Sequence, residues 1–452
     1  VMVGISLFAT LLSTLSYLSY PGEMVKYGPV VFIGLAAFPV AYYIVSRLMI
    51  PRYMKMNVTS AYEILEIKLG RGVRSLATVF FLSLRFLWMA TIIYATVDVA
   101  LIPVFGLDPG WVPPVSVVLV VITVIYTTMG GLKAVVTTDV IQTVVMFAGV
   151  LLTIGIIGWK VGSFGAFFEP QLFEHWPPVD WGFDMSKRMT VGNILLMTLV
   201  WQVCTAGSDQ MAIQRYLSTP DVATAKRSYR ISLVTSCTIQ LLLAVVGLVV
   251  MTYFLRYPQM LAPGTSVVGD ADTLFPRFIL IGLPAGITGL IAAGIMSAAM
   301  SSLSSGLNSS ATVIYEDIIN RNRKESNTSS KSLHHIKLIA VALGVVVALS
   351  SFLVAYVSGN LLDVVIKVVN LVVAPLFVLF FMALFVPWAT SRGTVAGGLF
   401  AMLVAVLIAF VGIFGITALW IMSVALVSGV LSSMLFSLLD RWLIGRGLLP
   451  GK

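Results

Sequence analysis

Charged side chains are scarce here: they make up 10% of the 452 residues, where an ordinary soluble domain carries about a quarter. Apolar residues account for 59% of the chain, and the mean hydropathy is +1.00. These values exclude a water-soluble enzyme of this size. Cysteine is nearly absent. Cys204 and Cys237 lie in apolar surroundings and imply no disulfide framework. The three histidines, His175, His334 and His335, are too few and too badly placed for a metal cluster. No G-x-x-x-x-G-K-[ST] phosphate loop occurs, so this chain does not consume ATP. There is no HExxH, and no serine–histidine or paired-carboxylate constellation stands out, which disfavours an intramembrane enzyme. Active transport, if present, must then draw on an ion gradient; one positive charge crossing 100 mV is worth about 2.3 kcal/mol. No cleavable signal peptide is recognisable. The chain opens VMVGISLFAT without an initiator methionine, so a preceding N-terminal segment is expected.

What is present is a succession of long apolar blocks, several of them near the roughly 20 residues that cross a bilayer as a helix. The reading is an all-α integral membrane protein of about 12 transmembrane helices. They fall at 1–18, 28–50, 75–104, 112–128, 134–160, 191–218, 228–255, 284–319, 336–357, 362–388, 394–414 and 416–439. Ser60-Ala61-Tyr62-Glu63 reads as a capping box opening a helix that runs into the third segment. Gly130-Gly131 reads as a turn before the fifth. The linkers 161–190 (with WPPVDWGF) and 256–283 (with YPQMLAPGTSVVGD) suit wet, interfacial loops or lids.

The net charge of +9 is better read as basic cytoplasmic loops than as a nucleic-acid surface. Grouped by the side of the membrane they would face, Lys and Arg number 20 on the N-terminal side and 7 on the other, with Arg85 inside the third segment. Both termini are therefore expected in the cytoplasm of a multi-pass cell-membrane protein.

Two segments are interrupted. In SLFATLLSTLSYLSYPGE, Thr10, Ser13, Thr14 and Ser16 fall mid-membrane ahead of Pro21-Gly22. In LVWQVCTAGSDQMAIQRY, Gln202, Thr205, Gly207, Ser208, Asp209 and Gln210 break an apolar run. Broken helices five segments apart point to an inverted-repeat secondary transporter, because unwound backbone survives in a membrane only when buried in protein or lining a wet cavity. Close helix packing by small residues is the competing explanation.

Candidate ligands follow from the eighth segment, AGIMSAAMSSLSSGLNSSATVIYEDI. At about 100° per residue, with Ser301 at zero, Ser305 lies near +40°, Ala298 near +60°, Ser302 near +100° and Ser304 near −60°. This is a hydroxyl-rich wall suited to a hard cation, with Ser301 between two neighbouring patches, or again to close packing. Asp139, at the start of the fifth segment, is either a helix cap or an ion ligand. Arg85 is the one basic residue read near the middle of a span. It binds a substrate carboxylate in a fork, pairs with an acidic neighbour, or snorkels to the cytoplasmic face. Trp88 and Trp201 offer an aromatic wall or simply pack.

Three runs, GGLKAVVTTDVIQTVVMFAG, SDQMAIQRYLSTPDVATAKRS and GLIAAGIMSAAMSSLSSGLNSSAT, in this order, resemble the sodium:solute symporter family over nearly the whole chain. The resemblance implies a leucine-transporter-like fold with a 5+5 inverted repeat, two broken helices and alternating access. Residues 1–160 would form the first repeat, 161–190 an extracytoplasmic loop, 191–390 the second repeat, and 391–452 two accessory helices and a short tail. It implies a sodium site of Ala9 and Leu12 carbonyls, the Ala298 carbonyl, and the Ser301 and Ser302 hydroxyls. A second sodium would be held by Asp139, Ser301, Ser304 and Ser305, which favours Asp139 as a ligand.

The stretch around Ala9-Thr10-Leu11-Leu12-Ser13-Thr14, with TSAYEILE at 59–66, is more similar to the organic-anion, sialic-acid and monocarboxylate-like branch than to the sugar branch. Sialic-acid members place an arginine where this chain has Trp88, with Arg85 a turn away. The implied substrate is a small organic anion held by Ser13, Ser16, Arg85, Trp88, Gln202 and Thr205, and sodium is the co-transported ion. The alternatives are a non-transporting sensor or regulatory protein of the same fold, and a sugar or proton-coupled carrier.

Overall fold

A long apolar run in hydrocarbon can satisfy its own peptide groups only as a helix or in a closed barrel. Among the described residues this chain forms helices and no β-strand. A computed structural model describes the chain except residues 13, 57, 59, 321–329, 355–360 and 447–452; at 130–133, 164, 285, 330–333, 361–366, 368 and 414 it describes the backbone alone. The elements are α1 (Met2–Leu11), α2 (Thr14–Tyr27), α3 (Val30–Met54), α4 (Glu63–Leu69), α5 (Arg71–Phe105), α6 (Val112–Val161), α7 (Val191–Ser208) and α8 (Gln210–Leu217). They continue as α9 (Val222–Arg256), α10 (Ala271–Gly282), α11 (Gly286–Ile319), α12 (Ser330–Val354), α13 (Leu361–Phe385), α14 (Ser391–Val411) and α15 (Ala418–Gly445).

Ten spans among the described residues are long and apolar enough to cross a bilayer, and the bent pair α1–α2 makes eleven. The described apolar part of α13, Val369–Phe385, is shorter. The sequence count of twelve is thus approached but not reached by length and composition.

Both expected interruptions are present. Helix α1 stops at Leu11, Leu12 is extended (φ −84°, ψ 121°), and α2 resumes at Thr14 with a bend of 66°. Helix α7 stops at Ser208, Asp209 is extended (φ −81°, ψ 124°), and α8 resumes at Gln210. Pro21 does not end α2, which runs on to Tyr27. Gly22 beside it lets α10 come close: a Cβ there would lie 2.2 Å from Asp272 Oδ1.

Two local expectations change. The Ser60–Glu63 motif forms half a capping box, the Ser60 N–H donating to Glu63 Oε1 at 3.1 Å. Its short helix α4 does not run into α5, because Gly70 sits at φ 94° between them. No loop forms at Gly130-Gly131, where the backbone stays helical throughout α6; a helix tolerates a glycine for about 1 kcal/mol. Asp139 is therefore a mid-helix residue and not a cap.

Helix α11 runs through the middle of the bundle, packed on α6 and against α1, α2, α5 and α8. The 161–190 linker straps one end of the bundle. Arg188 donates to both Glu23 oxygens at 2.7 and 3.1 Å, and Trp176 Nε1 donates to the Val25 carbonyl at 3.1 Å. At the other end, Arg74 binds Asp317 and Glu66, while Ser60 and Thr78 also donate to Asp317.

The last two helices meet through small residues. A Cβ on Gly397 would lie 2.5 Å from Ser433 Cα, the close approach that small-residue spacing permits. Gly397→Leu is expected to cost about 1–3 kcal/mol by overpacking. It should lower the melting temperature in detergent while leaving half-saturating sodium unchanged.

Candidate functional site

A helix end leaves its last carbonyls without intrahelical donors, so each break must find partners for peptide oxygens. The two breaks find them differently. At the second, the Tyr53 hydroxyl donates to the Gly207 carbonyl and the Tyr62 hydroxyl to the Ser208 carbonyl. Asp209 then caps α8 by accepting from Met211 N at 2.9 Å. Bulky phenols close that end.

At the first break the partner among the described residues is a small hydroxyl. Ser302 Oγ donates to the Leu12 carbonyl at 3.1 Å and approaches the Thr10 carbonyl at 3.4 Å. Thr14, the first residue of α2, donates to the Ile295 carbonyl at 3.1 Å. Peptide oxygens thus converge on α11 beside a short side chain, a donor set matching a hard alkali cation. Ala9 and Ala298 are fully buried nearby. Half-helix C-terminal ends and unwound carbonyls are where sodium-coupled carriers coordinate the ion.

One turn away lies a charged cluster. Asp139 accepts from Ser6 Oγ at 2.5 Å and from Ser301 Oγ at 2.7 Å. Arg215 of α8 lies 3.4 Å from the same carboxylate and donates to Ser305 Oγ at 2.7 Å and Ser6 Oγ at 3.0 Å. Thr10 and Ser305 hydroxyls are 3.0 Å apart. Asp139 and Arg215 are 0% and 1% exposed by side chain. The structure therefore gathers Asp139, Ser301 and Ser305, whereas Ser304 turns its hydroxyl back to the Ser301 carbonyl at 3.0 Å.

Two groups here escaped the sequence reading. Ser6 is indistinguishable from a packing serine until Asp139 is opposite it. The charge count groups Arg215 with the basic loops; its place in SDQMAIQRYL, within the interrupted segment and shortly after the break at Asp209, is the available signal.

The expected substrate residues divide. Ser16, Trp88 and Gln202 line one cavity, together with Leu12, Tyr20, Trp201 and Asn370. The cavity runs from the first break, at Leu11 and Leu12, to Val31, Met189 and Leu419. Thr205 is buried but does not line it. Ser13 lies outside the described residues.

Arg85 is also outside the cavity lining. Its Nη2 donates to Asp209 Oδ2 at 2.6 Å, and its guanidinium faces the Phe81 and Trp88 rings at 5.6 and 5.9 Å. Of the three roles open to it from sequence, internal pairing is the one the geometry takes.

A model of the sodium:solute symporter family matches residues 1–401 of this chain. The chain belongs to the sodium:solute symporter family. It is a multi-pass, sodium-coupled solute carrier and not an enzyme. This symporter is 30% identical over 418 residues to the sodium/sialic acid symporter of Proteus mirabilis (strain HI4320), an alignment covering 90% of this chain and 81% of that one. It is 30% identical over 406 residues to the sodium-coupled monocarboxylate transporter 1 of Mus musculus, covering 88% of this chain and 64% of the mouse protein, so it spans just under two thirds of that carrier. Its fold superposes on the substrate-bound, outward-open state of a Na+-coupled sialic acid symporter with a TM-score of 0.84 at 26% identity, over 97% of this chain and 89% of that one.

Proposed function

We propose that this symporter moves a small organic anion together with sodium, by alternating access between the two sides of the cell membrane. The observation that carries the sodium part is the Ser302 hydroxyl set against the Leu12 and Thr10 carbonyls at the first break. Sodium there, with Ala9, Leu12, Ala298, Ser301 and Ser302 as its shell, ties α1 to α11 and favours the state in which the cavity faces outward. Inward opening parts those helices and releases the ion. Such coupling needs the ion to bind one state more tightly than the other.

The solute occupies the cavity bounded by Ser16, Trp88 and Gln202. Leu12 belongs to both sites, so filling one organises the other. The finer assignments in this reading are cytoplasmic termini, repeats over 1–160 and 191–390 separated by the extracytoplasmic 161–190 loop, and accessory helices in 391–452. A second sodium at Asp139, Ser301, Ser304 and Ser305 is also part of it. Arg215 already balances Asp139, so the geometry supports the first sodium site more strongly than the second.

The test is uptake into vesicles holding the purified protein, with labelled small carboxylates, sialate and sugars. The reading expects carboxylate accumulation driven by an inward sodium gradient and lost when potassium replaces sodium. Accumulation indifferent to sodium, or following a proton gradient alone, would reject it.

A further inference from the structure

The charges buried beside the two breaks close among themselves. Asp139 pairs with Arg215 and Asp209 with Arg85, and the four side chains are between 0% and 5% exposed. A further cation added to either neutral pair would stand in the interior without a countercharge, which is strongly unfavourable.

Arg215 does more than balance Asp139. Its Nη2 lies 3.4 Å from Asp139 Oδ2 and donates to Ser305 Oγ at 2.7 Å, while its Nε donates to Ser6 Oγ at 3.0 Å. Asp139 and Ser305 are two of the four side chains assigned above to a second sodium. A third, Ser301, directs its proton to Asp139, and the fourth, Ser304, donates to the Ser301 carbonyl. The guanidinium thus sits on oxygens that a sodium would need, and it brings the same single charge.

Its mounting differs from theirs. Asp139 stands in α6, and Ser301 and Ser305 in α11, helices that run unbroken through those positions. Arg215 stands on α8, the half-helix of 8 residues that follows the break at Asp209, where its Nη1 also donates to the Met211 carbonyl at 2.9 Å. A movement of α8 relative to α6 and α11 therefore withdraws the cation and leaves the oxygens in place.

We propose that Arg215 is a tethered cation that competes with the second sodium. The guanidinium and the ion exclude each other at Asp139 and Ser305, and the second ion enters only in exchange for the side chain. This rests on the symport reading above. In the paired arrangement the carrier holds one sodium, at the first break. The second site opens when α8 draws Arg215 away, so its affinity reports the position of that half-helix.

The experiment is equilibrium binding of radioactive sodium to the purified protein, over a wide concentration range in a potassium background. It compares the parent with Arg215→Gln, Arg215→Lys and Arg215→Gln/Asp139→Asn, and each protein is also unfolded thermally in sodium and in potassium. The inference expects one sodium per parent chain, with any second step at least about a hundredfold weaker, the penalty for parting a buried pair. Arg215→Gln should bind two, because Asp139 and Ser305 lose their resident cation. Arg215→Lys keeps a cation and should bind one; Arg215→Gln/Asp139→Asn lacks the carboxylate and should also bind one. Sodium should raise the melting temperature of Arg215→Gln more than that of the parent, since the ion then binds the folded chain twice.

Two steps of similar strength in the parent would overturn the inference, as would two in Arg215→Lys. A single step unchanged across all four proteins would overturn it and leave the symport reading standing. If Arg215→Gln failed to fold in either salt while Arg215→Gln/Asp139→Asn folded, sodium could not stand in for the guanidinium and the inference would fall. Absence of saturable sodium binding in every protein would remove the symport reading itself.

Discussion

Arg215→Gln and Asp139→Asn, made singly, will each destabilise the folded protein by about 3–5 kcal/mol, the cost of stranding one member of a buried ion pair. Two unit charges about 4 Å apart attract by roughly 4 kcal/mol at an effective dielectric constant of 20. Neither partner has water to fall back on, since Asp139 and Arg215 are 0% and 1% exposed by side chain. Each also anchors other elements. Arg215 reaches Ser6 of α1 and Ser305 of α11, and Asp139 accepts from Ser6 and Ser301.

The double variant Arg215→Gln/Asp139→Asn removes both charges and leaves two amides that hydrogen-bond to the same serines. It should recover most of the lost stability, because a buried pair costs far less to remove whole than to break. Thermal unfolding in detergent, read by tryptophan fluorescence across the four proteins, measures the coupling directly. Additive losses in the double variant would mean that the two residues act independently.

Ser302→Ala gives the second large effect, on function and not on folding. It removes the hydroxyl that faces the Leu12 and Thr10 carbonyls and leaves only a Cβ hydrogen in its place. A polar contact to a charged species is worth about 1.5–3 kcal/mol, so the sodium concentration for half-maximal uptake should rise at least about tenfold. The maximal rate at saturating sodium should change much less. Ser301→Ala should also raise it, through the hydroxyl that Asp139 receives at 2.7 Å. Uptake curves for both variants with unaltered sodium midpoints would remove α11 from the ion site.

Much of this arrangement could be read before any coordinates, and the parts that could not share one cause. The breaks at Leu12 and Asp209 were legible because clustered Ser, Thr, Gly and Asp have no reason to interrupt an apolar span unless the backbone there is shielded. Helical periodicity sets Ser301 and Ser302 about 100° apart; that the first turns to Asp139 and the second to the break is seen only in the fold.

Pairings between distant segments were not. The sequence places Arg215 close after a break but names no partner for it; only the fold brings it to Asp139, 76 positions away. The same holds for Arg85, whose three sequence-stated roles are decided by Asp209, 124 positions away. Periodicity also said nothing of which carbonyls would be closed by tyrosines. Tyr53 comes from the last turn of α3 and Tyr62 from the residue before α4, and their hydroxyls occupy the carbonyls of the second break. Composition misled at Gly130-Gly131, where helical hydrogen bonding through α6 outweighs the preference of glycine for turns.

The claim on which the rest stands is that the frayed end of α1 and the Ser302 hydroxyl form the cage that holds the transported ion. Binding of radioactive sodium to the purified protein, measured at equilibrium with no solute and no membrane gradient, tests it most directly. The account predicts saturable binding that potassium does not displace, and a dissociation constant raised at least about tenfold in Ser302→Ala. Sodium binding of equal strength in the parent and in Ser302→Ala would contradict it.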